Sequence, residues 1–138
     1  MIKVKAITVG RCKETWLAEA MAEYKKRLTG KMDIEWIFVE NDGEMIAKTE
    51  KESLLIALDL GGKMLSSEEL SHKLFTEWGS RLAFAIGGAE GLPAEVIRRA
   101  TFRWSLSPLT FTHQIARLLL TEQLYRAIEI EKGSSYHK

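Results

Sequence analysis

Five short apolar runs, each followed by a more polar or helix-patterned stretch, constrain this fold more than anything else in the chain. Ile2 to Val9 alternates with β-branched residues and stops at Gly10, which is the pattern of a strand. Ile34 to Val39, Leu54 to Leu58, Arg81 to Ile86 and Phe102 to Ser105 repeat the signal. The run at Leu54 to Leu58 is apolar without a break, as in a strand buried on both faces. Between the strands, Trp16, Leu17, Ala20, Met21, Tyr24 and Leu28 fall at helical spacing. Asn41 to Glu52 is polar and predicts a helical turn or two at most. Ser66 with Glu69 three residues on predicts a capping box, opening a helix that runs to about Trp78 and closes at Gly79. Pro93 fits the first turn of a helix ending near Arg99. The longest apolar-periodic segment runs from about Thr112 to Ile130. The order βαβ(α)βαβαβα predicts an α/β fold, a mainly parallel sheet with helices on both faces.

A chain of 138 residues suits one domain, residues 1–138, around one core. The formal charge of +1 gives no global pull toward nucleic acid. Lys13, Lys25, Lys26, Arg27 and Lys31 nevertheless cluster around the first helix, as a solvated face or as an RNA-backbone contact. Cys12 is the only cysteine, which excludes an intrachain disulfide and a Cys-rich zinc site. His72, His113 and His137 stand far apart without ligand spacing, so no metal is expected. Met1 to Lys5 is not a signal peptide, and no apolar run approaches the ~18 residues that would span a bilayer. The expectation is a soluble cytoplasmic protein.

In parallel α/β sheets, ligands bind beyond the carboxyl ends of the strands. Three such ends lead into candidate loops here: after Leu58, after Ile86 and after Ser105. Gly87 to Leu92 follows a strand and precedes a helix, but carries neither G-x-G-x-x-G nor a P-loop ending. Glu90 opposes a phosphate there. A ligand with an adenosine, no phosphate and a positive centre suits this loop better, or the loop is a plain turn. Ser105 to Phe111 alternates apolar and hydroxyl residues, as in the wall of a small-molecule site. The last helix is apolar nearly all round (Ile115, Leu118, Leu119, Leu120, Leu124, Ala127, Ile128, Ile130), so burial on more than one side is expected. His113 and Arg117 share a face at its start. The tail Ser134 to Lys138 is either frayed or an active-site flap.

The set IGGAEGL, WSLSPLTFTH, R-x4-E-Q-L-Y-R-A and terminal YHK resembles the ribosomal large-subunit RNA methyltransferase H family, over essentially the whole chain. That family belongs to the SPOUT class of trefoil-knotted enzymes dependent on S-adenosylmethionine. The resemblance implies a knotted C-terminal segment and a homodimer. It implies methylation of N3 of a pseudouridine in helix 69 of large-subunit ribosomal RNA, on the assembled ribosome. It places the cofactor against Leu58, Gly87, Leu106, Ser107, Pro108, Leu109, Thr110 and Phe111. It places His113, Tyr136, His137 and Lys138 facing the target nucleotide, with the tail completing the partner subunit's site. Asn41 to Ser53 is shorter than the family's usual segment, which touches peripheral packing and not the cofactor pocket.

For the chemistry, a proton must leave the imide, and His113 or His137 can take it; Arg117 or Lys138 can stabilise the imide anion. One rival reading is a non-catalytic ribosome-binding module on the same fold. The other, a doubly wound dehydrogenase, is opposed by the missing G-x-G-x-x-G.

Overall fold

A computed structural model describes residues 1–138. The chain forms β1 (Ile2–Val9), α1 (Thr15–Leu28), β2 (Met32–Val39), α2 (Asp42–Thr49), β3 (Leu55–Met64), α3 (Ser67–His72), β4 (Arg81–Ile86), α4 (Ala94–Arg99), β5 (Phe102–Ser105) and α5 (His113–Lys132). The five strands make one parallel sheet in the order β2-β1-β4-β3-β5. The α/β alternation read from the sequence is therefore present, and the sheet is parallel throughout.

Strand alternation divides the core between the two faces of the sheet. Leu82, Phe84 and Ile86 of β4 pack with Leu70, Leu74, Leu120, Leu124 and Ala127. Ala83 and Ala85, one residue out of phase, pack with Met45 of α2 and Val96 of α4. Successive side chains of a strand point to opposite faces, so α3 and α5 cover one side and α2 and α4 the other. Small residues on the second face let the short helices approach closely.

Local chemistry sets the helix boundaries. The Ser66 Oγ accepts from the Glu69 N–H at 3.0 Å, and the Glu69 carboxylate accepts from the Ser66 N–H at 2.8 Å, completing the predicted box. Asn41 caps α2 by accepting from the Glu44 N–H, so a polar stretch still yields two turns. Past His72 the helix widens into a π turn over Lys73–Glu77, in which the Trp78 N–H donates to the Lys73 carbonyl. Apolar spacing alone does not distinguish that turn from α-helix.

β3 is longer than its apolar run. The sequence predicts an end at Leu58, but the strand continues to Met64, and its ladder with β5 shifts between Leu58 and Lys63. Asp59 pairs with Arg103 of β5 at 2.6 Å. A Cβ on Gly62 would stand 2.6 Å from the Arg103 carbonyl carbon. Only glycine lets the strand press back onto β5 there, so the Gly61–Gly62 pair marks a bulge and not an ending.

Candidate active site

The paired parts of β1, β3 and β4 finish level with one another: Thr8 stands opposite Ile86, and Ile86 opposite Leu58. The middle of β3 and the loops leaving β4 and β5 meet just beyond, around a cavity of about 410 Å³. Leu58, Gly87, Leu106, Ser107, Leu109, Thr110 and Phe111 all line it. Of the eight residues expected to hold the cofactor, Pro108 alone is outside the lining. Sequence reasoning did not single out Asp59, Leu60 or Trp104, which also line the cavity. The β3 bulge brings the first two in, and the end of β5 brings the third.

The wall after β4 is unusually tight. A Cβ on Gly87 would lie 2.4 Å from the Gly91 carbonyl carbon and 2.7 Å from the Leu92 nitrogen. Gly91 has φ +81°, a left-handed conformation natural to glycine, and its N–H donates to the Gly88 carbonyl at 3.1 Å. The turn is thus closed by two backbones in contact. The opposite wall is shaped by Ser105 and Ser107. The Ser105 hydroxyl donates to the Ser107 carbonyl, and the Ser107 hydroxyl accepts from the Leu109 N–H, each at 3.0 Å. That turn leaves the N–H groups of Thr110 and Phe111 without a partner in the protein.

This wall fits S-adenosylmethionine. Apolar Leu58, Leu106 and Phe111 suit the faces of an adenine, and free backbone donors suit its edge. Glu90 gives the cavity a carboxylate in no ion pair, and no lysine or arginine lines it, which suits a sulfonium and opposes a phosphate. The Trp104 Nε1 is buried without a hydrogen-bond partner, an orphaned donor on a cavity-lining residue.

The four residues expected to face the target nucleotide do not gather in one place on the chain. His113, the first residue of α5, lines the cavity. Burial, and then the charge of Arg117, hold its pKa below the ordinary imidazole value. Tyr136, His137 and Lys138 lie elsewhere. Gly133, at φ +74°, turns the chain back along α5. Tyr136 then donates its hydroxyl to Glu122 at 2.9 Å and packs edge-on against Tyr125. His137 Nδ1 meets the Arg126 guanidinium at 3.0 Å, and its Nε2 lies 3.3 Å from Glu68. Burial, then the bond to Glu122, push the Tyr136 phenol well above its usual range, so it stays protonated. Glu122 lies nine residues along α5 from His113, roughly 13 Å at helical rise. Arg117 does not reach the cavity either. It is fully buried and turns to the end of β1, so the reading of it as a stabiliser of an anion at the site is set aside.

No group of three or more His, Cys, Asp or Glu is arranged to hold a metal, and no helix is long and apolar enough to cross a membrane.

Solved methyltransferase structures share this fold. A probable methylase family protein from Haemophilus influenzae Rd KW20 superposes with a TM-score of 0.61 at 13% identity, over 99% of this chain and 70% of that one. The SpoU methyltransferase AviRb from Streptomyces viridochromogenes, solved with AdoMet, gives 0.53 at 12% identity, over 94% and 58%. A family model described as "Predicted SPOUT methyltransferase" matches residues 2–137. At the level of sequence, the "Ribosomal RNA large subunit methyltransferase H" of Protochlamydia amoebophila (strain UWE25) is 48% identical over 141 residues, covering 100% of both chains. The protein of that name from Alkaliphilus oremlandii (strain OhILAs) is 42% identical over 159 residues, covering 99% of this chain and 100% of its own. The chain belongs to the ribosomal RNA large subunit methyltransferase H family of SPOUT methyltransferases.

Proposed function

We propose that this protein transfers a methyl group from S-adenosylmethionine to N3 of a pseudouridine in helix 69 of large-subunit ribosomal RNA. The acceptor is the assembled ribosome, and the working unit is a homodimer of one-domain chains. The observation that carries the reading is the cavity itself. The loops after β4 and β5, which hold the family's IGGAEGL and WSLSPLTFTH motifs, converge there beside the middle of β3, with the donors, apolar faces and carboxylate that the cofactor needs.

The cofactor supplies an activated methyl group, so the carbon–sulfur bond breaks as the N3–carbon bond forms, and the N3 proton must go elsewhere. The chain's work is to position and deprotonate. His113 stands at the cavity with its pKa lowered, so at neutral pH its ring is uncharged and can accept that proton. Thr110 and Phe111 would offer their N–H groups to the adenine edge of the cofactor, and Glu90 would supply a carboxylate for its sulfonium.

The homodimer reading rests on two features of the monomer. Ile115, Leu118 and Leu119 of α5 remain half-exposed while Leu120, Leu124 and Ala127 are buried. The tail is held in a defined place away from its own cavity. A second copy covering α5 would bring Tyr136, His137 and Lys138 to its partner's cavity. A knotted C-terminal path is also part of the proposal. The test is cofactor binding and methyl transfer by wild type, His113→Gln and a chain ending at Ser135. Loss of transfer with binding retained in both variants is expected. Full transfer by either would remove that residue set from the reaction.

A further inference from the structure

Arg117 is completely buried and makes no ion pair. Four of its contacts are hydrogen bonds to uncharged oxygens. Its Nε donates to the Thr8 hydroxyl at 2.9 Å, and one terminal nitrogen donates to the Val9 and Gly10 carbonyls at 2.6 and 2.7 Å. The other terminal nitrogen donates to the Gln114 Oε1 at 3.1 Å. A buried guanidinium without a carboxylate is costly unless its donors are satisfied, and here three of the four bonds go to one place, the end of β1.

That place adjoins the cavity on two sides. A Cβ on Gly88 would touch the Val9 side chain at 3.4 Å, so Val9 underlies the glycine loop. Gln114, with its oxygen fixed by Arg117, directs its amide nitrogen to the Arg11 carbonyl at 3.2 Å and toward the His113 Nε2 at 3.5 Å. One buried cation thus ties the start of α5, the end of β1, the following loop and the His113 ring into a single unit.

We propose that Arg117 is a positioning residue for methyl transfer, orienting His113 through Gln114 and fixing the Gly10–Arg11 loop beside the cavity. It touches neither cofactor nor nucleotide. The inference rests on the functional reading above for its consequence, and on geometry alone for its mechanism. The charged and titratable groups around His113 are Arg117 on its own helix, Arg11 and Cys12 in the loop after β1, and Asp59 and Glu90 on the cavity wall. Arg117 acts against protonation of the ring.

The experiment combines NMR titration of the His113 ring with single-turnover transfer for wild type, Arg117→Lys, Arg117→Met and Gln114→Leu. Arg117→Met should move the His113 midpoint upward, and Arg117→Lys, which keeps the charge, should return it toward wild type. Gln114→Leu should lose about tenfold or more in transfer rate from misorientation, with S-adenosylmethionine affinity held within about twofold. An unmoved midpoint in folded Arg117→Met, or wild-type transfer by Gln114→Leu, overturns the proposal. If Arg117→Met does not fold, Gln114→Leu decides. If wild type transfers no methyl group, the functional reading fails, while the titration still decides whether Arg117 governs His113.

Discussion

Replacing Gly87 with alanine puts one methyl group where two backbones already touch. The added carbon would stand 2.4 Å from the Gly91 carbonyl carbon, 2.6 Å from its oxygen and 2.7 Å from the Leu92 nitrogen. Ordinary contact begins at 3.4 Å, so the Gly91–Leu92 strand of the turn must retreat by about 1 Å. No flexible side chain can absorb this, because every clashing atom is backbone. Overpacking of this kind costs about 1–3 kcal/mol. The displaced segment is the cavity wall, so the strain falls on cofactor binding. The expected result is S-adenosylmethionine affinity lower by roughly 5- to 150-fold, read by isothermal titration calorimetry. Gly88→Ala is the control for strain. Its added carbon meets only Val9, at 3.4 Å, so its melting temperature should match wild type. An affinity for Gly87→Ala within about twofold of wild type, at unchanged melting temperature, would refute the wall as the cofactor's contact.

Further outcomes follow from the same geometry. Gly62→Ala places a carbon 2.6 Å from the Arg103 carbonyl and should destabilise the fold by about 1–3 kcal/mol, measured by denaturant unfolding. Glu122→Leu removes the acceptor of the Tyr136 hydroxyl and a partner of Arg126, so the tail should become protease-sensitive while cofactor affinity stays at wild type. For pH, the sign follows from the lowered His113 pKa. The folded state prefers the neutral ring, so this contribution to stability is complete above the unfolded imidazole value and is lost as pH falls through the folded one. The acid limb of the wild-type transfer rate should have its midpoint below the ordinary imidazole value, as single-turnover rates across pH would show.

The strand and helix order was readable because each strand is a short apolar run and each helix carries its own cap or period. Ser66 with Glu69 is the clearest case, since both partners of the box are local. The cavity wall was readable for the same reason: parallel strands must end somewhere, and the loops after Ile86 and Ser105 carry glycine and hydroxyl residues suited to a ligand. What sequence could not show depends on contacts far apart in the chain. β3 runs beyond Leu58 because Gly62 meets Arg103, a pairing without local signal. Arg117 shares a helical face with His113 by spacing, yet its long side chain is drawn off to the carbonyls of Val9 and Gly10. Gly133 as the turning point of the tail was legible only as a helix stop, not as the device that lays Tyr136 against Glu122.

The central claim is tested most directly by transfer of labelled methyl from S-adenosylmethionine to ribosomes that lack the modification, with nucleoside mass spectrometry of the recovered RNA. The account predicts 3-methylpseudouridine in helix 69 on assembled ribosomes and none on free RNA. Cofactor binding without any methylation of ribosomes would contradict the proposed substrate, and absence of both would leave the fold as a non-catalytic ribosome-binding module.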